Sequence, residues 1–303
     1  MKKIEGKLRT FYQKNEYSFS GNLFEPSFKM EKVKTWNKFE GTVNKVRASD
    51  GYEVKNFRKL NDEVALVTLN NKSHEMFYRG QVRDYKNNSA KYFSDRTRKS
   101  VIMPSICRPD KKVNGELKYS IRKKEVQRRY RYLYNLIDYI NSKQNFTLPY
   151  EHYMSLFQHY EIAKTPLIDI TQSLRVAATF ALKKSKIGYL YVFGLPFPNQ
   201  SISYYTDLGI ILLKLQNVVS VNAIRPRYQE GYLVGNFPFS NYKSNEDDLA
   251  NRMVAKFKLT NEDNKFWDKF FQPIPEEILF PKNDKLEAQL KAYKIEFDNK
   301  YQS

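Results

Sequence analysis

The sequence is poor in cysteine, histidine, glycine, proline and negative charge. One cysteine, Cys107, stands among 303 residues, so no intramolecular disulfide forms and a reducing compartment is expected. Cys107 lies in the apolar stretch Val101 to Cys107, which predicts a buried, inert thiol rather than a nucleophile. With His74, His152 and His159 it makes no recognisable zinc spacing. Eleven glycines and twelve prolines exclude collagen-like and low-complexity classes. No apolar run approaches the ~20 residues of a membrane helix; the longest, Gly209 to Leu215, has the length of a strand. Met-Lys-Lys at the start is followed by charged and polar residues, without the apolar core of a signal peptide. A cytoplasmic protein with no membrane partner is the expectation.

Acidic residues number 33 against 52 Lys and Arg, a formal net charge of +19. That excess suits polyanionic partners or a solvated basic surface, and does not choose between them. What is abundant is aromatic: 23 Tyr and 21 Phe, enough for a sizeable core. The length exceeds one typical domain.

Residues 1–55 are polar, with Phe11, Tyr17, Phe19, Phe24 and Phe28 scattered among them. They read as an N-terminal extension ahead of a domain over 56–293 and a tail over 294–303. Apolar spacing predicts helices over 56–70, 121–141, 150–160, 173–183 (with Ser173 as N-cap) and 284–293. Strands are expected at 75–78, running on to Gly80, at 187–193 with alternating exposure, and at 210–215, 232–234 and 253–259. Residues 82–100 read as a polar loop. Helices mixed with irregularly spaced strands point to an α+β fold rather than a doubly wound sheet.

Three stretches stand out. In Phe77-Tyr78-Arg79-Gly80-Gln81, an Arg at a strand end beside a bend-permitting Gly makes an anion holder. The plainer alternative is a surface Arg before a turn. In the second, Gln158-His159-Tyr160 precedes Thr165-Pro166-Leu167-Ile168-Asp169-Ile170-Thr171 and then Ala177 to Ala181. Here Asp169 orients His159 or Arg79, or caps the following helix; Thr171 bonds backbone or ligand oxygen; His159 suits an acid or base. A capped turn with a satisfied His is the plainer reading. In the third, Arg225-Pro226-Arg227-Tyr228-Gln229-Glu230-Gly231, two Arg flank a Pro in an expected rigid basic turn. Gln229 and Glu230 are expected to open a strand, where only one of them faces a given cleft.

Taken in order, these stretches resemble the FRG domain family. Phe77-Tyr78-Arg79-Gly80 matches its Phe-Arg-Gly motif with one residue inserted, and Met103 to Arg108 resembles its Pro-Ser-x-x-Arg element. Gln158 to Ala181 matches its Gln-His-Tyr, Thr-x-Leu-Leu-Asp-x-Thr and Ala-x-x-Phe-Ala signature, and Arg225 to Gly231 its Arg-x-x-x-Gln-x-Gly turn. Two positions depart: Glu161 stands where Gly usually follows Gln-His-Tyr, and Ile170 where Trp is usual.

The resemblance implies an ADP-ribosyltransferase-type fold, a split mixed or antiparallel β-sheet with flanking helices that grips NAD as substrate. Arg79, Gly80 and Gln81, with His159 and Asp169, would hold the dinucleotide. Thr171 would support the nicotinamide ribose, and Gln229 would act at the ribose bond. Gln229 carries no negative charge; Glu230 would supply it if the strand is bulged or shifted by one residue. The implied function is ADP-ribosyl transfer to a protein or nucleic-acid acceptor, or NAD hydrolysis, in a toxin or phage-defence effector. The alternative is a non-catalytic module that binds a nucleotide or nucleic acid and keeps Arg79 as an anion ligand.

Overall fold

Apolar spacing becomes helix wherever it finds a cap and a surface to cover. In a computed structural model, which describes residues 43–87, 98–109, 123–219, 225–239, 247–281 and 284–301 and the backbone of 7–8 and 17–18, α1 is Val43–Ala48 and α2 is Phe57–Asn70. Asn56 caps α2 by accepting the Lys59 N–H at 2.8 Å, and Phe57, Leu60, Val64 and Val67 face inward. Helices α3 (Lys123–Ser142), α4 (Tyr150–His159) and α5 (Leu174–Ala181) fall where the spacing predicts. Ser173 caps α5, its hydroxyl accepting the Val176 N–H at 3.4 Å. Short helices α6 (Leu215–Val218), α7 (Arg225–Tyr228) and α8 (Glu276–Leu279) precede α9, Lys285–Tyr301.

Eight strands form one sheet among the described residues: β1 Tyr52–Val54, β2 Glu75–Gln81, β3 Leu167–Thr171, β4 Ile187–Leu195, β5 Ile202–Tyr205, β6 Ile210–Lys214, β7 Gly231–Asn236 and β8 Met253–Thr260. Their order across the sheet is β1-β8-β4-β2-β3-β7-β6-β5. The β1–β8 pair is parallel and every other pair antiparallel, so the fold is α+β around a mixed sheet. One core lies between the sheet and α1, α2 and α5; a second lies among β3, β6, β7, α3, α4, α6 and α9.

Several expectations need correction. Residues 43–54 are not part of an extension: Val43, Val46 and Val54 are in the first core and β1 pairs with β8. The chain does not become a tail at 294, because Leu290 and Phe297 hold α9 in the second core through Tyr301. β4 does not alternate in exposure. Flanked by β2 and β8, it is buried on both faces from Leu190 to Leu195. The 82–100 segment is not all loop, for Lys86–Asn87 pairs with Lys99–Ser100. Tyr17 falls in a two-residue strand paired with Lys7–Leu8, while Phe11, Phe19, Phe24 and Phe28 lie outside the described residues. Cys107 is buried, and burial pushes its thiol well up.

A polar cluster sits inside the first core. Lys256 on β8 is fully buried, and its ammonium donates to Asp84 Oδ2 at 3.0 Å, the Arg47 carbonyl at 2.9 Å and the Ser100 hydroxyl at 2.9 Å. Burial lowers its pKa to about 8. Arg47, equally buried, pairs with Asp248 and donates to the Ser100 carbonyl at 3.0 Å. This cluster ties α1 and the 98–102 segment to β8.

Helix α5 lies so close to β2 that a Cβ at Gly80 would come within 1.8 Å of the Ala177 carbonyl oxygen and 2.7 Å of the Ala181 nitrogen. These are backbone atoms and cannot swing aside. Gly80→Ala is therefore expected to cost about 3 kcal/mol or more of stability, the upper range for overpacking, read as a drop in urea midpoint at unchanged slope.

Candidate functional site

The sheet opens at its centre. β2 pairs with β4 along its length but with β3 only at Tyr78 opposite Thr171, and the strands diverge beyond that point. The Arg79 side chain crosses the gap, its Nη1 donating to the Asp169 carbonyl in place of a ladder bond. Arg79 and Gly80 project to opposite faces: glycine admits α5 on one, and the guanidinium turns to the other.

A cleft of about 870 Å³ occupies this split. All four motif stretches reach it: Arg79 and Gly80; Ser105 and Arg108; Gln158, His159, Asp169, Thr171 and Ala177; Arg225 and Gln229. Gln81 and Glu230 are not among its lining residues. Glu230 is exposed, with φ of 45°, in the turn before β7; the strand opens at Gly231, not at Gln229. The Arg225 stretch, expected as a rigid basic turn, is a single helical turn, α7.

The lining groups divide into those already engaged and those that are not. Thr171 Oγ1 donates to the Gln229 and Glu230 carbonyls (3.0 and 3.1 Å) and accepts the Ser173 N–H at 3.0 Å. Gln229 is buried, and its Nε2 donates to the Leu279 carbonyl at 2.8 Å. Both side chains thus fix the junction of β3, β7 and α8. By contrast Arg79 Nε, His159 Nε2 and Arg225 Nε are buried without hydrogen-bond partners. Arg225 also lies 4.7 Å over the Phe280 ring, and Phe280 meets Phe180 edge to face at 5.8 Å.

Asp169 does not cap α5, which Ser173 caps. Asp169 Oδ2 accepts from Gln158 Nε2 at 2.6 Å, and its Oδ1 lies 3.9 Å from His159 Nδ1. Burial pushes the carboxyl up, but His159, Arg79 and Gln158 outweigh that and hold it below the usual carboxylate range. Burial dominates for the bases: it lowers His159 and brings Arg79 to about 10, still charged at neutral pH.

Sequence reasoning missed the clamp on Gln158, whose Oε1 accepts the Thr165 hydroxyl at 2.6 Å and the Ser105 hydroxyl at 3.2 Å. The Pro-Ser-x-x-Arg and Thr-x-Leu-Leu-Asp resemblances were its only signal. In the sequence Arg225 reads as part of a basic turn, and Phe280 carries no signal at all. Among the described residues no group of three or more His, Cys, Asp or Glu side chains is arranged to hold a metal, and no helix is long and apolar enough to cross a membrane.

Comparison with known families fits this geometry. Residues 74–188 match the model of the FRG domain. The chain carries an FRG domain. The matched stretch spans β2 through the start of β4, including Arg79, His159, Asp169 and Thr171, whereas Arg225 and Gln229 lie beyond it. No curated protein and no solved structure matches. The departure at Glu161 from the usual FRG glycine has a physical reading: its φ is 55°, a left-handed conformation that glycine adopts without strain.

Two outcomes follow from these environments. Glu161→Gly is expected to raise stability by about 0.5–1 kcal/mol in a urea titration, relief of the left-handed strain exceeding the glycine's added chain entropy. His159 has a folded-state pKa below its unfolded value, so the unfolded chain takes up the proton first. Its contribution is fully present above about pH 6.5 and is lost as pH falls through the folded value. Stability measured stepwise from about pH 6.5 to about pH 5 should decline less in His159→Gln than in the wild type.

Proposed function

We propose that the cleft binds NAD and that the protein breaks the nicotinamide–ribose bond, as an ADP-ribosyltransferase or, with water as acceptor, an NAD glycohydrolase. The observation that carries this reading is the trio of buried, unpartnered nitrogens around one cavity: Arg79 Nε, His159 Nε2 and Arg225 Nε. Leaving such a group unsatisfied costs about 1–3 kcal/mol, and more when it is charged. A ligand rich in acceptor oxygens, a pyrophosphate above all, relieves that cost.

Other features support it. The cleft has the volume range of ligand pockets, and Phe180 and Phe280 offer apolar walls to a flat ring. The opening between β2 and β3 is compatible with the split-sheet, ADP-ribosyltransferase-type architecture that the FRG resemblance implies. Arg108, Arg129 and Lys164 also line the cleft, which favours an anionic ligand. The family resemblance supports a setting as a toxin or phage-defence effector in the cytoplasm, with a protein or nucleic acid as acceptor.

A second reading, nucleotide binding without turnover, is favoured by one observation: Gln229 is engaged with the Leu279 carbonyl and Glu230 lies outside the cleft lining. Incubation with NAD, with and without cell extract, and quantification of free nicotinamide separates the two. Release supports the enzyme; NAD binding without release leaves the binding module. On either reading Arg79→Ala should weaken NAD about 10- to 100-fold by calorimetry, the loss of one charged hydrogen-bonding group. Unchanged affinity would remove Arg79 from the site.

A further inference from the structure

We infer that Asp169 supplies the negative charge at the sugar during cleavage, and that Gln158 is the positioning residue that holds its carboxylate. The inference rests on the NAD reading above and adds a catalytic residue to it.

Rupture of the C1′–N bond sends its electron pair to the pyridinium nitrogen, releases neutral nicotinamide and moves the positive charge onto the ribose C1′–O4′. The oxygen of water or of an acceptor then bonds to C1′, and its proton leaves through a base to solvent. The step needs an anionic group aimed at the sugar, fixed before the charge develops. Of the residues expected from the resemblance, Gln229 is neutral and its Nε2 is held by the Leu279 carbonyl, and Glu230 is outside the lining. Of the other carboxylates in the lining, Glu125 is tied to Arg128 and Arg129 (2.9 and 3.0 Å), and Asp298 to Lys294 and Tyr132 (2.6 and 2.7 Å). Glu161 stands exposed on the turn after α4.

Asp169 alone is on the sheet beside the split, with its side chain 40% exposed to the cleft. Its fixation is directional. The ionised Asp169 carboxylate only accepts, so Gln158 turns its Nε2 toward it and leaves Oε1 to the Thr165 and Ser105 hydroxyls on the other side. One carboxylate oxygen is thereby held as an acceptor. The other, 3.9 Å from His159 Nδ1, is beyond hydrogen-bond reach of that ring and open to a sugar hydroxyl.

Steady-state nicotinamide release by full-length wild type, Asp169→Asn and Gln158→Leu tests this. Asp169→Asn should lower kcat about 10²–10³-fold, and Gln158→Leu about tenfold, each with KM for NAD within about threefold of wild type. A merely structural role for Gln158 would not produce that split. Asp169→Asn turning over within about threefold of wild type overturns the inference while the NAD reading stands. If Asp169→Asn does not fold, Gln158→Leu decides, and an unchanged kcat overturns the inference. No nicotinamide release from the wild type overturns the enzymatic reading and this inference together.

Discussion

The approach of α5 to the sheet is the constraint on which the rest of the site depends. A side chain at Gly80 or at Gly188 would meet helix backbone at 1.8 or 2.0 Å, so the helix sits where only glycine allows it. With α5 in that place, its cap Ser173 falls two residues after Thr171, and the Thr171 hydroxyl receives the Ser173 N–H. The end of β3 is then set relative to β2, and the two strands meet at Tyr78 and Thr171 and part beyond. The gap that Arg79 crosses is a consequence of this packing on the opposite face of the sheet.

That geometry divides the polar residues by duty. Groups C-terminal to the split are spent on structure: Thr171 ties the carbonyls of 229 and 230, and Gln229 ties α8 through Leu279. Groups on the α4 side keep atoms in reserve, His159 Nε2 and one oxygen of Asp169, beside the Nε of Arg79 and Arg225. Buried polar atoms in folded proteins nearly always have partners. Three exceptions around one cavity therefore say more about a ligand than the identity of any single side chain does.

Local signals were legible in the sequence and long-range ones were not. The Ser173 cap, the inward faces of α2, α3 and α5 and the buried thiol of Cys107 follow from spacing and neighbours alone. The convergence of four stretches on one cleft was legible only through family resemblance, because nothing in periodicity joins residue 79 to residue 225. Lys256 shows the limit. In a strand reading Ala-Lys-Phe-Lys it has the pattern of a solvent-facing residue, yet partners 156 to 209 residues away bury it. The end of α9 is illegible for a related reason: Leu290 and Phe297 are too sparse for a helical stripe until Tyr132 and Tyr139 provide the surface that Phe297 covers. Glu161 is the converse, a residue that no turn rule selects, at a backbone angle that the family's usual glycine would take without strain.

The charge of the cleft bears on what the proposed ligand must be. With +19 overall and several Arg and Lys in the lining, cations alone would accept almost any polyanion, nucleic acid included. Asp169 breaks that uniformity. Held ionised among Arg79, His159 and Gln158, it repels a phosphate placed on it and attracts a positive group. A ligand suited to the whole cleft therefore carries both signs: an anionic middle for the unpartnered nitrogens and a cationic end near the carboxylate. Mononucleotides and single strands of nucleic acid offer the first without the second. The proposed ligand, an oxidised nicotinamide dinucleotide, carries both, pyrophosphate and pyridinium, a fixed sugar apart, and that pairing of opposite charges supports the proposal more than the basicity of the chain does.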